Sequence, residues 1–560
     1  MEQILLRPVT IVSLPRLSDM HEKWTPKMIE QLNYLFTKNF RRAVERKTTL
    51  LLLNSSALAL AACGSGSSGT TNVIVDDSVN INSLNRVQGS NEDESLLGTS
   101  AADYVEGMDG ADFILSLEGE DEIYGGSGDD TIWAGDGHDI IYGGTGNDTI
   151  YPGNGNDKSY GGDGDDIIFL SSGNDLEDGG DGNDTLKIDS NHSGIATTID
   201  LLLGQYYFTA QGSSAFFNLN SIENLESQST ADLTVLDTPA VNVITTGAGN
   251  DLVKSIGGND IVNTGGGNDR VELASGFKYS VNTGSGDDEI VLGLTYSSLD
   301  GGSGTDTLIV KALSGVSTFH ADISQGFYFF QGLATSQDGF DALLSNIEKI
   351  HVEGQLNAVL IGGNSSDTFT TGSGSDNLSS GSGNDVIDAG AGDDILNGGA
   401  GSDTLTGGAG ADMFVFSATN GTDTIVEFVS GTDLLNVDAL VADVAGAAFV
   451  TYDAAATTSV ATGSVVNNAT AAAVADAAAA AALFAADDDD DAATAAGMEL
   501  DDGASIILVV QDDDGAAGVD YDAQVFRVTS NADGSVITAE LVATLDNAAD
   551  SSVLTFADFV

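Results

Sequence analysis

The sequence predicts an all-β fold, a flattened parallel solenoid interrupted by strand-rich spacers, and three observations carry that expectation. Between residues 98 and 187 one nine-residue unit recurs ten times without insertion or deletion, as in GGSGDDTIW from Gly125 and GGTGNDTIY from Gly143. The sixth place of the unit is always aspartate, and glycine holds the fourth from Gly110 to Gly182, with Ala101 the one exception. The eighth place is apolar in eight of the units, for example Ile132, Ile141 and Ile150.

Each place has a physical role. The first six residues read as a turn, because glycine tolerates positive φ and the fifth place often carries Asn or Asp, the next best residues there. The last three read as a short strand whose middle side chain points inward, so two units make one 18-residue coil. Coils stack about 4.8 Å apart.

Stacking sets the sixth-place aspartates above one another along two edges: Asp103, Asp112, Asp121, Asp130, Asp139, Asp148, Asp157, Asp166, Asp175 and Asp184. Bare carboxylates roughly 5 Å apart at an effective dielectric near 20 repel by about 3 kcal/mol per pair. That rivals much of what a small coil gains by burying one isoleucine per face. A cation between the turns removes the conflict. Carboxylates with turn carbonyls form an all-oxygen set, which suits Ca²⁺; no Cys or His ladder offers a zinc or copper site, and Mg²⁺ dehydrates reluctantly. A metal-free Gly/Asp turn array is the competing reading, but Asn would serve such turns as well as Asp.

These units resemble the RTX, or haemolysin-type, calcium-binding nonapeptide repeat, a motif known for exactly this spacing of glycine and aspartate. The resemblance implies a parallel β-roll with Ca²⁺ between successive turns, held by the sixth-place aspartates and backbone carbonyls. It leaves the biological role open, since such repeats occur in toxins, proteases, adhesins and surface-layer proteins.

Composition fits a solvated, calcium-loaded chain. With 85 acidic and 18 basic residues the net charge is -67, which argues against nucleic acid or an anionic membrane surface as a direct partner. Nine of the basic residues lie before residue 48. One cysteine leaves no disulfide framework.

From the start of the chain, residues 1–62 read as a signal peptide, with basic residues 38–47 followed by an apolar run too short to span a membrane. Leu60-Ala61-Ala62-Cys63 resembles the lipobox of bacterial lipoproteins, which would make Cys63 a lipidated first residue and a lipid anchor the chain's membrane contact. Residues 63–97, rich in Ser, Gly, Asn and Asp, read as a flexible tether. The first repeat block spans 98–187. A spacer at 188–245 is answered by another at 310–361: GQYYFTAQG from Gly204 matches GFYFFQG from Gly326, and each ends in an NIE-like phrase containing Glu223 or Glu348. Their aromatics are read as filling a wider core, with a carbohydrate-binding surface as the competing reading.

The block at 246–309 is degenerate. Asp251, Asp260 and Asp269 are in frame; Lys278 is then read at the aspartate place, with a one-residue slip before Asp288 and Asp306, so calcium there should be sparse. The block at 362–415 restores Asp367, Asp376, Asp385, Asp394, Asp403 and Asp412. Counting one site per turn and the turn two units later, the strict runs offer about a dozen Ca²⁺ sites. Residues 416–440 resemble roll-closing strands, and 441–560 form a secretion and cap region. Within it Ala-rich 469–486 favours a helix, Asp487 to Asp491 form an acidic run, and 504–560 alternate strands with turns.

The last residues, Leu554 to Val560, resemble a type I secretion signal, which conflicts with a lipobox; both routes lead to the cell surface or outside. No HExxH, GxSxG or P-loop is present, and the histidines are scattered, His138 standing in a variable turn place where solvation is expected. The sequence therefore predicts a non-enzymatic adhesin, surface-layer or matrix component. Its partners would be calcium, export machinery, and itself or a surface polysaccharide. The alternative is a secreted enzyme with its site in the tail.

Overall fold

The computed structural model describes residues 84–190, 197–210, 213–312, 314–332, 342–416, 421–429 and 432–436, with separate strands at 73–74, 80–81 and between 449 and 546. The leader with Cys63, the acidic run Asp487 to Asp491 and the last residues lie outside the described residues, as does the Ala-rich stretch apart from the strand Phe484–Ala485. Among the described residues there is no α-helix.

Two parallel sheets lie face to face, and the nine-residue unit alternates between them. In one, Ile114, Ile132, Ile150, Ile168 and Leu186 stand in register from coil to coil. In the other the column runs Val105, Ile123, Ile141, Ser159 and Glu177. All ten eighth-place side chains are buried, so the core is a double file of inward residues between the sheets. The turns depend on their second-place glycines. Gly126 has φ of 124°, and a Cβ there would collide with the Met108 carbonyl of the preceding coil. Met108 and Leu117 hold the same place with φ of 88°, a conformation that costs an L-residue about 1–2 kcal/mol.

Outward ninth-place side chains form aromatic ladders on both faces. Tyr124, Tyr142 and Tyr160 stack with centroids 4.8 and 5.0 Å apart, and Trp133, Tyr151 and Phe169 with centroids 4.1 and 4.0 Å apart. Near-parallel stacking turns the ring faces toward one another, which stabilises neighbouring coils. It also leaves ring edges rather than faces for a sugar to meet.

Each spacer inserts an antiparallel excursion without breaking the stack. Gln205–Ala210 pairs with Ser213–Asn220, while Thr185–Ile188 continues in register onto Asn224–Ser227. Thr318–Asp322 pairs with Phe327–Gln331, while Thr307–Val310 continues onto Lys349–Val352. Tyr206, Phe319, Tyr328 and Phe330 are buried, as a widened core requires. The Tyr328 hydroxyl also accepts the Ser297 N–H at 2.9 Å. Phe327 and Phe329 face the other way and stack with His320, so only part of the aromatic set fills the core.

The roll begins ahead of residue 98. Leu84–Gln88 and Ser95–Leu97 already stack on the first coils, so the expected tether is shorter than 63–97. At the other end Ser505–Asp513, Tyr521–Ser530 and Ile537–Asp546 form an antiparallel sheet whose last strand pairs in parallel with Asp423–Val426. Val525, Val542 and Ala543 are buried. This sheet covers an edge that would otherwise offer unpaired backbone groups to another chain.

Glu177 is the one charged residue in the inward file. It is 0 % exposed, its buried neighbour is the Tyr206 hydroxyl, and burial pushes its pKa well above the usual carboxylate range. Glu177→Gln, which keeps a polar group beside Tyr206, should therefore raise the thermal midpoint of the calcium-loaded chain at about pH 8 by a few degrees, since the buried carboxyl contributes stability only while protonated and loses it as pH rises. Differential scanning calorimetry checks this; a lower midpoint would contradict it.

Candidate metal centre

Two hydrogen-bond ladders of opposite sense tie each turn to its neighbours. At the sixth place, the backbone N–H of one aspartate donates to Oδ1 of the aspartate 18 residues on. On the edge leading into the first sheet the ladder runs Asp112 to Asp130 (2.7 Å), to Asp148 (2.8 Å), to Asp166 (2.7 Å) and to Asp184 (2.8 Å). On the opposite edge it joins Asp103, Asp121, Asp139, Asp157 and Asp175 at 2.8–2.9 Å. At the fifth place the side chain accepts from the coil that follows: Asn147 N–H donates to Asp129 Oδ1, and Asp165 N–H to Asn147 Oδ1. His138 joins this ladder, since its Nδ1 accepts the Asn156 N–H at 2.8 Å, so it is exposed but not merely solvated.

The first ladder consumes one oxygen of each carboxylate and leaves the other. Oδ2 of Asp112, Asp130, Asp148, Asp166 and Asp184 is buried and makes no hydrogen bond. These atoms face a hollow. A methyl group built on Gly125 would collide with both Asp130 Oδ2 and the Gly143 carbonyl of the next coil, and the arrangement recurs at Gly143 and Gly161. Glycine at the first place keeps an oxygen-lined space open. Among the described residues no group of three or more His, Cys, Asp or Glu side chains converges on one point. A cation in this hollow would thus be held by carboxylates in ones and twos with backbone carbonyls, the hard-oxygen set of Ca²⁺. The residues fit the ion, and without one each buried, unpaired oxygen costs about 1–3 kcal/mol or more.

The two edges of the first block are not equivalent. Where one edge has glycine at every first place, the other has Gly98, Ser116, Ala134, Pro152 and Leu170. There Asp121 Oδ2 accepts from the Ser116 hydroxyl, Asp175 Oδ2 from the Ser171 hydroxyl at 2.9 Å, and Asp103 Oδ2 from the Thr99 N–H. Only Asp139 and Asp157 keep an unpaired Oδ2 on that edge.

In the middle block Asp251, Asp269, Asp288 and Asp306 form one continuous ladder, each with an unpaired Oδ2. On the opposite edge Asp260 is the single sixth-place aspartate, and its Oδ2 takes the Ser255 hydroxyl at 2.6 Å. The reading of Lys278 at the aspartate place is corrected. Lys278 N–H donates to Asn259 Oδ1, the fifth-place bond, and Tyr279 N–H makes the sixth-place bond to Ser297 Oγ. The extra residue therefore lies in the turn before Tyr279. In the last block Asp376, Asp385, Asp394, Asp403 and Asp412 keep Oδ2 unpaired, while Asp367 Oδ2 takes the Gly363 N–H at 2.7 Å.

The ladders extend past the predicted aspartates. Asp184 N–H donates to Glu223 Oε2 and Asp306 N–H to Glu348 Oε2, both at 2.9 Å, so the duplicated NIE-like phrase supplies a glutamate in the aspartate role. Asp403 and Asp412 donate to Asp423 and Asp433 at 3.2 Å. At the beginning Glu94 N–H donates to Asp112 Oδ1. The unit 89–97 was legible in frame, with glutamate at its sixth place.

Burial raises these acids. It pushes Asp148 up to about 8 and Asp130, Asp139 and Asp157 to about 7, with the backbone N–H bond the largest opposing cause. An acid raised on folding contributes stability below its unfolded value, near 3.9, and loses that contribution as pH rises through its folded value. The metal-free roll thus weakens between about pH 4 and 8, and calcium must displace the same protons.

The RTX calcium-binding nonapeptide repeat (4 copies) matches residues 88–123, 115–150, 151–186, 238–271, 354–387, 361–396, 379–414 and 388–425. These stretches cover the first and last runs of stacked sixth-place carboxylates, and the middle run as far as Asp269. No curated protein of similar sequence is found.

Two outcomes follow for calcium titrations monitored by circular dichroism. Asp148→Ala, which removes a free Oδ2 from the glycine-lined edge, should raise the calcium midpoint several-fold, and Asp121→Ala, whose Oδ2 is already held by Ser116, less than about twofold. For the unaltered chain the midpoint should fall several-fold from pH 6 to pH 8 as ligand protons are lost. Equal effects of the two substitutions, or a midpoint that does not move with pH, would contradict the assignment.

Proposed function

From a chain that carries RTX calcium-binding nonapeptide repeats, we propose a calcium-stapled β-roll that works outside the cell or on its outer surface, in a structural or adhesive role. One observation carries the reading: buried carboxylates stand in register along the edges, and most of them, including Asp112, Asp130, Asp148, Asp166 and Asp184 on the glycine-lined edge, keep one oxygen unpaired. The sixth-place aspartates of all three blocks are assigned as ligands. Successive pairs in the first and last blocks give about a dozen ions.

Location follows from calcium supply. For sites with dissociation constants near 1 mM and calcium near 10 mM, each site contributes about 1.4 kcal/mol, and a dozen contribute of the order of 17 kcal/mol. The micromolar or lower calcium of a cytosol contributes almost nothing through such sites. The chain would thus cross export machinery unfolded and set on arrival, retained by a lipid on Cys63 where the N-terminal signal operates.

A non-enzymatic role is supported by what the tail strands do: the last of them is joined to the roll, Thr424 standing in register with Thr544, as an end cap is. The partner is a second copy of the chain or a surface polysaccharide. The stacked rings of the first block support the former, because their faces are turned to one another.

Protease treatment of intact cells tests the proposal. In millimolar calcium the roll should be reachable by antibody yet resist cleavage, and a wash with EDTA should make it cleavable within minutes. Detection only after the cells are opened would overturn the location.

A further inference from the structure

The middle block breaks the repeat rule at Asn242, which stands at the sixth place where a carboxylate is expected. Asn242 N–H makes the ladder bond to Asp260 Oδ1 at 2.9 Å. Its own amide is consumed locally: Oδ1 accepts the Thr238 N–H and hydroxyl, and Nδ2 donates to the Glu223 carbonyl. By the rule, no cation is held at this turn.

The same turn carries a carboxylate at an unexpected place. Asp237 is the first residue of the unit, where the glycine-lined edge of the first block keeps a hollow, and a side chain rooted there enters the space that glycine leaves open. Asp237 is 0 % exposed. Its Oδ1 accepts the Ile256 N–H at 2.8 Å, and its Oδ2 makes no hydrogen bond of good geometry. Asp260 of the next coil sends its Oδ2 to the adjacent Ser255 hydroxyl, so both carboxylates converge on Ser255 and Ile256.

From the third coil comes Tyr279, at the sixth place and 3 % exposed. Its hydroxyl lies by Ser255 and the Ala274 backbone, within the field of Asp260 and Asp237, and makes no hydrogen bond of good geometry. Two buried acids and a phenol face each other here, and no Lys or Arg is paired with either acid among the ion pairs of the described residues.

We propose that Asp237, Asp260 and the Tyr279 hydroxyl hold one hard divalent cation, Ca²⁺, at a site that the sixth-place rule does not describe. The carboxylate missing from Asn242 has moved to the first place of the same turn. Oxygen donors then come from three successive coils at one edge: carboxylates from two and a neutral phenol from the third, a donor set suited to calcium and unsuited to softer metals. The ion would bridge the edge where the aspartate ladder is thinnest. This rests on the reading that the chain binds calcium.

Native mass spectrometry of the full chain in calcium, which counts bound ions as integers, tests both levels. Asp237→Asn, nearly isosteric, should lose one ion relative to the unaltered chain. Adding Asn242→Asp to Asp237→Gly should restore the count by returning the carboxylate to the sixth place. Asp130→Asn serves as the reference loss in the first block. An unchanged count in Asp237→Asn beside a loss in Asp130→Asn would overturn the site and leave the calcium reading standing; the two acids would then share a proton. An unaltered chain that binds no calcium would remove both. A fold lost in Asp237→Asn and not regained in the double substitution would also overturn the proposal, since the carboxylate would then matter for packing rather than for the ion.

Discussion

Everything in this molecule depends on the spacing between stacked aspartates. Parallel coils put like carboxylates about one strand spacing apart, roughly 4.8 Å. The backbone N–H of each coil then fixes one oxygen of the next carboxylate, as Asp130 does for Asp148. The fold thus imposes both the repulsion and its geometry. What it leaves over is a column of buried oxygens without partners, and only a proton or a cation satisfies them. Protons suffice in acid; near neutral pH the burial that raises Asp148 to about 8 is a direct penalty on the empty roll.

The apolar core cannot offset that penalty by itself. Each coil contributes two eighth-place inward side chains with few additions, such as Ala134 and Leu170, and at Ser159 and Glu177 the eighth place itself is polar. The remaining stabilisation is distributed along the surface and the ends. Aromatic ladders link neighbouring coils, and the antiparallel tail sheet joins the last ones through Asp423–Val426. The spacers keep the ladders going by handing them to Glu223 and Glu348, so the blocks form one stack rather than three.

Much of this was legible in the sequence because a strict nine-residue period leaves one solution for side-chain direction. An eighth-place isoleucine must point inward, and a sixth-place aspartate must face its equivalent. Glu223 and Glu348 were visible as a shared phrase but not as ladder members, since their register is set by excursions that only the fold resolves. Tyr279 was missed because an inserted residue can be placed on either side of it, and hydrogen bonds rather than residue types decide which. Asp237 was missed for a different reason. At the first place of a unit its carboxylate reads as a turn residue, and only the hollow it enters gives it another meaning. The inequality of the two edges was partly readable, since Ser116 and Ser171 stand where the other edge repeats glycine or leaves it out, but which hydroxyl meets which carboxylate required the structure.

The central claim is that the roll folds when its carboxylates are bridged by calcium and not otherwise at neutral pH. The most direct measurement is backbone hydrogen exchange on the full chain at pH 7.5, first in excess EDTA and then in 10 mM calcium. The account predicts that amides of the ladder, such as those of Asp130 and Asp148, exchange at close to unprotected rates in EDTA and become strongly protected in calcium. Protection in EDTA equal to that in calcium would contradict it.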